Sequence, residues 1–313
     1  MTANLLPIGR PITVFGSVNI DVCAYSDRLP RPGETVHGSG YAMGLGGKGA
    51  NQAAAAARLG GQVEMVGRTG SDAFGEMARS RLAGFGVRTG HLSADPDHPT
   101  GIAVIGVESS GENCITVVGG ANMAVSTDDV ARTAPLLAAS AILLLQLETP
   151  LSAGLAAASA VRAGGGRVIL DPAPAPRHGL PAEVFQAVDA MTPNETETET
   201  LVGLRPTSPD EAAAAADRLL ERGLSIAIVK MGAKGVYYRG LGQQGFIPPF
   251  PVTAIDTVAA GDCFNGGLAF ALARGDDLAG AVRFAAACGA LATTRAGAAD
   301  SAPTLAEAAA LLG

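Results

Sequence analysis

The 313-residue chain carries a net charge of −7 and is 48% hydrophobic, yet it is only 4% aromatic and has no tryptophan. That length allows one large domain, or one with a small appendage, and the alanine-weighted apolar content predicts a core of closely packed helices and aliphatic strands. An acidic balance with no basic block argues against nucleic acid and anionic membranes as partners; no charge-free apolar segment is long enough to span a bilayer, and no basic-then-apolar leader opens the chain.

Residues 12–17 (ITVFGS) predict a short strand. In 18–22 polar and apolar residues alternate, so Asn19 and Asp21 share one face if the strand continues, although a half-exposed strand with a polar outer face would look the same. A turn at 29–33 precedes a looser strand over 34–43. The glycine-rich stretch 44–52, GLGGKGANQ, leads into a helix over 53–59. It is not a Walker-type loop, since no Ser or Thr follows Lys48. Lys48 and Asn51 offer donors suited to sugar hydroxyls; a tight turn with a solvated lysine is the plain alternative. A strand over 62–69, a helix over 72–85, and a hairpin of 101–108 with 113–118 follow.

From 141 onward short strands (141–147, 167–170, 226–230) alternate with helices (151–163, 183–188, 210–222), with 236–238 pairing as a hairpin. Helices over 264–273, 278–293 and 304–312 complete the chain. Strands of this length between helices imply a parallel sheet covered on both faces, with ligands beyond the carboxyl ends of its strands. Glu148, Asp171, Asn194 and Gly232 fall at those ends. The two β-rich stretches form one small sheet outside the main layer, with the use of a lid. The expected division is a core of 1–18, 44–100 and 119–313 and a lid of 19–43 and 101–118. Cys23, Cys114, Cys263 and Cys288 lack metal-ligand spacing and read as reduced thiols of a cytoplasmic protein.

The stretch 256–264, DTVAAGDCF, organises the rest. Residues 250–255 read as a strand end or loop, followed by small residues and then a helix. Outward-pointing amides and the helix dipole at such a start bind anions. Asp262 there is either a helix cap or a base for a hydroxyl that attacks a phosphate, and the dipole is expected to keep it ionised at neutral pH.

Together GGKGANQA (46–53) and DTVAAGDCF (256–264) resemble the two signatures of the PfkB carbohydrate kinases. The resemblance is strongest to the ribokinase branch and extends through GSVNID (16–21), PGETV (32–36), GEN and GGAN (111 and 119), LLQLETP (144–150), DPAPA (171–175), TPNETE (192–197) and TRAGAADSAP (294–303). It implies a ribokinase-like three-layer α/β/α fold with a mainly parallel central sheet and a small β-sheet lid. It also implies transfer of the ATP γ-phosphate to O5 of D-ribose, with Asp262 as base and the Ala260, Gly261 and Asp262 amides as anion hole. Sugar contacts fall to Asn19, Asp21, Gly47, Lys48, Asn51 and Glu148, and nucleotide contacts to Asn194, Lys230, Gly232, Gly235, Ala260 and Gly261. Glu197 would organise Mg²⁺ through water, and Asp256, Val258, Ala292, Arg295, Gly297 and Ser301 would bracket an activating K⁺. Separately, the unpaired edges and apolar face of so small a sheet predict a homodimer joined through the lid sheets, with Val36, Ile102, Val104, Ile115 and Val117 as its apolar positions.

Lys230 departs from the pattern, since close ribokinases carry Thr there, and Ala286 and Cys288 replace the His or Asn often found beside the adenine. A nucleoside kinase, another sugar or sugar-acid kinase, and a non-catalytic sugar sensor remain as alternatives. Few lid aromatics (Tyr25, Tyr41) favour a free sugar over a nucleoside, and intact Asp262 speaks against a sensor.

Overall fold

The computed structural model of the protein describes residues 9–313. The start of the chain, where a leader was sought and where the 1–18 segment begins, lies partly outside the described residues. In chain order come β1 (Ile12–Phe15), β2 (Asn19–Ser26), β3 (Gly38–Gly46), α1 (Lys48–Arg58), β4 (Val63–Gly70), α2 (Ala73–Gly84), β5 (Leu92–Asp95), β6 (Gly101–Glu108) and β7 (Asn113–Val118). Next are α3 (Thr127–Arg132), α4 (Ala134–Ala139), β8 (Ile142–Leu145), α5 (Leu151–Ala163), β9 (Arg167–Leu170), α6 (Ala182–Ala187), β10 (Ala190–Met191), α7 (Glu195–Val202) and α8 (Pro209–Glu221). The chain closes with β11 (Ile226–Lys230), β12 (Val236–Gly240), β13 (Gln243–Ile247), α9 (Ala260–Arg274), α10 (Leu278–Ala292) and α11 (Leu305–Leu312).

Strands β1 and β8 are apolar or buried at every position because both faces of their sheet are covered. Among the described residues that sheet runs β13-β12-β11-β10-β9-β8-β1-β4-β5. It is parallel from β11 to β5, with β12 and β13 as an antiparallel edge. Alternate strand residues feed two cores: Val14, Ile142 and Ile228 meet α1, α9 and α10, whereas Phe15, Leu143 and Val229 meet α5, α6 and α8. The result is the expected three-layer α/β/α arrangement. Strand order reverses at β1, flanked by β4 and β8, and a crevice at such a switch point is where open α/β sheets bind ligands.

The small sheet runs β3-β2-β6-β7, with β2 and β6 parallel and the outer pairs antiparallel. Its register pairs Asp21 with Ala103 and Ala103 with Val117, so Ile115 and Val117 share the face of Asn19 and Asp21. Ile102 and Val104 stand on the opposite face, with Ile20 and Val22. The five apolar positions singled out in the sequence therefore do not form one patch.

Several expectations need correction. The strand expected over 34–43 runs from Gly38 to Gly46, because Glu34 closes the preceding turn by accepting from Arg28 and from the Arg31 amide. The glycine-rich stretch does not merely precede its helix: α1 starts at Lys48, capped by Gly47 at φ +85°, a conformation open to glycine. Helix α9 likewise starts at Ala260, ahead of 264, and residues 250–255 form no strand. Periodicity over four to eight residues was too short to reveal β5, α3, α4 and α7.

Helices α1 and α9 pack unusually closely. A Cβ on Gly266 would stand 2.6 Å from Ala55 Cβ and 2.8 Å from Gln52 O, so only glycine fits there. At its other end α1 is pressed on the turn after β1, where a Cβ on Gly49 would lie 2.7 Å from Ser17 N and O. No described helix is long and apolar enough to cross a membrane.

Candidate active site

Asp262 does not cap its helix. The N-cap is Ala259, in the left-handed region at φ +56°, and Asp262 is the third residue of α9. A left-handed residue bearing a Cβ costs roughly 1–3 kcal/mol, and such strain clusters at functional sites. The Asp262 carboxylate is buried and accepts from two side chains of α1: Asn51 Nδ2 reaches Oδ2 at 3.0 Å, and Gln52 Nε2 reaches Oδ1 at 3.1 Å. Spacing on α1 explains this, since Lys48, Asn51 and Gln52 lie three and four residues apart and share one face. Of the three amides expected to form an anion hole, that of Ala260 turns back to Thr257 O at 3.3 Å. The Gly261 and Asp262 amides have no acceptor among the described residues, so the free donors number two.

Burial pushes the Asp262 pKa up to about 6, with neighbouring Asp171 adding to the rise and Lys48, Asn51 and Gln52 opposing it. The carboxylate is still mostly ionised at pH 7, but less acidic than the helix dipole alone would make it. Burial would lower the pKa of Lys48, but Asp262, Asp171, Glu148 and Glu197 around it more than offset that and hold it above its ordinary value. Lys48 is thus a fixed cation among four carboxylates.

The sugar-side candidates converge on the same place. Glu148, beyond β8, accepts from Ser17 Oγ at 2.6 Å and from the Lys48 amide at 3.0 Å. Asp21 is raised to about 6 by burial, with Glu148 contributing, and a Cβ on Gly46 would lie 2.0 Å from its Oδ1. Asn19 Oδ1 accepts from Asn122 Nδ2 at 2.7 Å, and Asn122 also bridges the Val18 amide and carbonyl.

The nucleotide-side candidates are more dispersed. Asn194 caps α7, and its side chain and amide exchange hydrogen bonds with Glu197 at 2.8, 2.9 and 3.0 Å. Burial raises the Glu197 pKa, while Lys230 pulls it back and Asp171 raises it further. Gly232 opens the turn after β11 at φ +53°. At Gly235, by contrast, packing demands glycine: a Cβ would stand 2.4 Å from Ile247 O. Lys230 lies at the end of β11 and pairs with Asp171 Oδ1 at 3.3 Å.

The cation-loop candidates form a separate group. Asp256 Oδ1 accepts from the Val258 amide at 2.9 Å and its Oδ2 from the Gly297 amide at 3.1 Å, so one carboxylate stitches the two loops together. Ala292 ends α10, and Ser301 Oγ donates to Ala298 O. The Arg295 side chain is drawn outward to Glu307 at 2.9 Å, leaving its backbone to the loop.

Sequence reasoning missed Gln52, Gln146 and Ser17 as connecting residues, although it singled out Asp171. Gln52 donates to both Asp262 and Asp171 (3.1 Å each) and accepts from Gln146 Nε2 at 2.8 Å. Asp171 carried a signal as a strand-end carboxylate. Gln52 carried one as Asn51's neighbour in the glycine-rich motif, and Ser17 as the residue beyond β1. No three potential metal-ligating side chains cluster among the described residues. A magnesium ion, which needs only one or two carboxylates when phosphates supply the rest, fits Glu197 and not a protein cage.

The sequence matches the pfkB family carbohydrate kinase profile over residues 10–305. It is 40% identical to a ribokinase of Haemophilus influenzae over 94% of this chain and 96% of that protein. It is 35% identical to a deoxyribokinase of Salmonella typhi, again over 94% and 96%. A solved structure of Arabidopsis thaliana ribokinase complexed with ribose and ATP superposes with a TM-score of 0.89 at 34% identity, covering 97% of this chain and 99% of that one.

Proposed function

We propose that this chain, which belongs to the pfkB family of carbohydrate kinases, phosphorylates D-ribose at O5 with ATP. The observation that carries the reading is the buried Asp262 carboxylate beside two free helix-start amides, held by the glycine-rich helix that also carries Lys48 and holds Glu148.

Phosphoryl transfer needs positioning and charge stabilisation more than covalent work by the protein. Asn19, Asp21, the Gly47 turn, Lys48, Asn51 and Glu148 hold the sugar. Asp262 orients the attacking hydroxyl and takes its proton as the new O–P bond forms. The Gly261 and Asp262 amides, with Ala260 beside them, stabilise charge on the transferring group. The Asn194 turn and the Gly232–Gly235 turn border the ATP phosphates and base. Magnesium, carried in with ATP and contacted by Glu197 through water, would neutralise phosphate charge. A potassium ion between the Asp256–Val258 and Ala292–Ser301 segments would fix the turn that presents the amides.

Residues 19–43 and 101–118 act as a lid over a core of 1–18, 44–100 and 119–313. Its face above the sugar residues carries Ile115 and Val117, each 55% exposed, which supports a homodimer formed through the lid sheets. A second reading, 2-deoxyribose as the preferred acceptor, draws support from the deoxyribokinase relative.

An ADP-release assay at saturating ATP over ribose, 2-deoxyribose, hexoses, sugar acids and nucleosides tests the assignment. Ribose is expected to give the highest kcat/KM, because buried hydrogen-bonding groups reject analogues that lack their partners. Faster turnover of 2-deoxyribose would transfer the assignment to the second reading, and faster turnover of a nucleoside or hexose would end both.

A further inference from the structure

The structure places an ammonium group at the mouth of the anion site, tethered by a weak contact. Lys230 ends β11, and its amide is pinned to Pro193 O at 2.9 Å, immediately before the Asn194 turn. From there the side chain runs to α9, where a Cβ on Gly261 would stand 3.5 Å from Nζ. Among the described residues its hydrogen-bond acceptor is Asp171 Oδ1 at 3.3 Å. Charge-assisted N–H···O bonds in strong pairs close to about 2.7–2.9 Å, so this one is loose. An ammonium has three donors, and here one is engaged. Asp171 is anchored independently, because its other oxygen accepts from Gln52. The carboxylate can therefore stay in place while the lysine moves.

We propose that Lys230 is a catalytic residue of this kinase, leaving Asp171 to contact the transferring phosphoryl group opposite the Gly261 and Asp262 amides. The inference rests on the kinase reading above and assigns Lys230 a role in the transition state beyond a nucleotide contact. The attacking sugar oxygen forms its bond to phosphorus while the bond to the β–γ bridging oxygen breaks. The hydroxyl proton goes to Asp262. Lys230 stays protonated throughout and donates N–H to non-bridging oxygens, where fixed charge counts most. Asp171 is then its resting partner, which with the nearby Glu197 carboxylate holds this half-buried cation in place before ATP arrives.

The competing account is that Lys230 only neutralises Asp171. Three variants separate the two: Lys230→Met, Lys230→Arg, and the double variant Lys230→Met/Asp171→Asn, which removes both charges. Each is assayed for kcat and for KM of the best sugar found for the wild type. Each is also titrated calorimetrically with MgADP alone and with MgADP plus aluminium fluoride, a mimic of the transferring phosphoryl group, and thermal denaturation reports folding.

Lys230→Met is expected to lose about 10²–10³ in kcat, with the sugar KM moving less than about threefold and MgADP affinity kept. It should also lose most of the extra affinity that aluminium fluoride confers, and Lys230→Arg should restore part of both. The double variant should fold as well as the wild type and remain slow. Recovery of kcat and of mimic affinity in the double variant would overturn the proposal, as would a Lys230→Met enzyme within about threefold of wild type. A wild type that transfers phosphate to no alcohol would sink the kinase reading. The mimic titration would still score Lys230 in that case, and equal mimic affinity with and without the lysine would reject its role.

Discussion

Replacing Asp262 by Asn removes the base and leaves the shape. General-base catalysis contributes about 10²–10⁴ in rate, or about 3–5 kcal/mol of barrier. Stability should move the other way. The Asp262 pKa rises from 3.8 to about 6 through burial, which corresponds to about 3 kcal/mol at ~1.36 kcal/mol per pKa unit. A raised pKa means that this carboxylate contributes fully to stability below pH 3.8 and that its contribution is lost as pH climbs through about 6. A neutral carboxamide at position 262 escapes that loss. Its NH₂ would meet the Asn51 donor, but Asn51 Oδ1 is buried with no partner among the described residues, so a flip of Asn51 supplies the missing acceptor. With an unfolding entropy of about 2.1 cal/mol/K for each of 313 residues, up to 3 kcal/mol raises Tm by about 4–5 °C. Initial rates with ribose and thermal melts at pH 7 and pH 4 test both halves. Asp262→Asn should be slower by at least 10²-fold, more stable at pH 7, and no more stable than the wild type near pH 4. Near-normal turnover would remove Asp262 from the chemistry. An inactive variant that melts lower at pH 7 would show that the carboxylate serves packing.

The acid limb of kcat/KM should lie near pH 6, because Asp262 and Asp21 are both raised to about 6 by burial and the base acts only when ionised; a limb near pH 4 would refute the burial argument. Asp256→Ala cuts both amide bonds that stitch the loops at 256–258 and 292–301, so any activation by K⁺ over a large organic cation at matched ionic strength should be lost; equal rates in the two salts with the wild type would dismiss the cation site altogether. Light scattering at micromolar concentration should give a dimer that Ile115→Asp and Val117→Asp shift to monomer, whereas a monomeric wild type would reject the lid interface.

The fold was legible because its long elements carry strong patterns: apolar β1, β8 and β11, alanine-rich α1 and α9, and the break in alternation at the small sheet. Short elements such as α7 and β5 were hidden, since tertiary contacts and capping decide them; α7 exists largely through the Asn194–Glu197 box. At the site, residues that face a ligand stand in recognisable motifs. Those that hold them do not. Gln52, Gln146 and Asn122 act through distances of 94 to 210 positions along the chain, and no local pattern encodes such a pairing. The rise of the Asp262 pKa to about 6 was hidden for the same reason: the dipole is local and readable, whereas burial belongs to the assembled core.

The close crossing of α1 and α9 gives the catalytic spacing a mechanical origin. Gly266 and Ala55 offer no polar side-chain group to the site, yet they set how near the backbone carrying Gln52 comes to the helix carrying Asp262. One methyl group at position 266 would act as a wedge, prising donor from acceptor by tenths of an ångström while the hydrophobic core refilled around it. In a mutational scan such a variant would look like a folded protein with an intact site and an unexplained loss of rate. Evolution of turnover in this scaffold would therefore run through the spacers between helices as much as through the residues that meet the sugar.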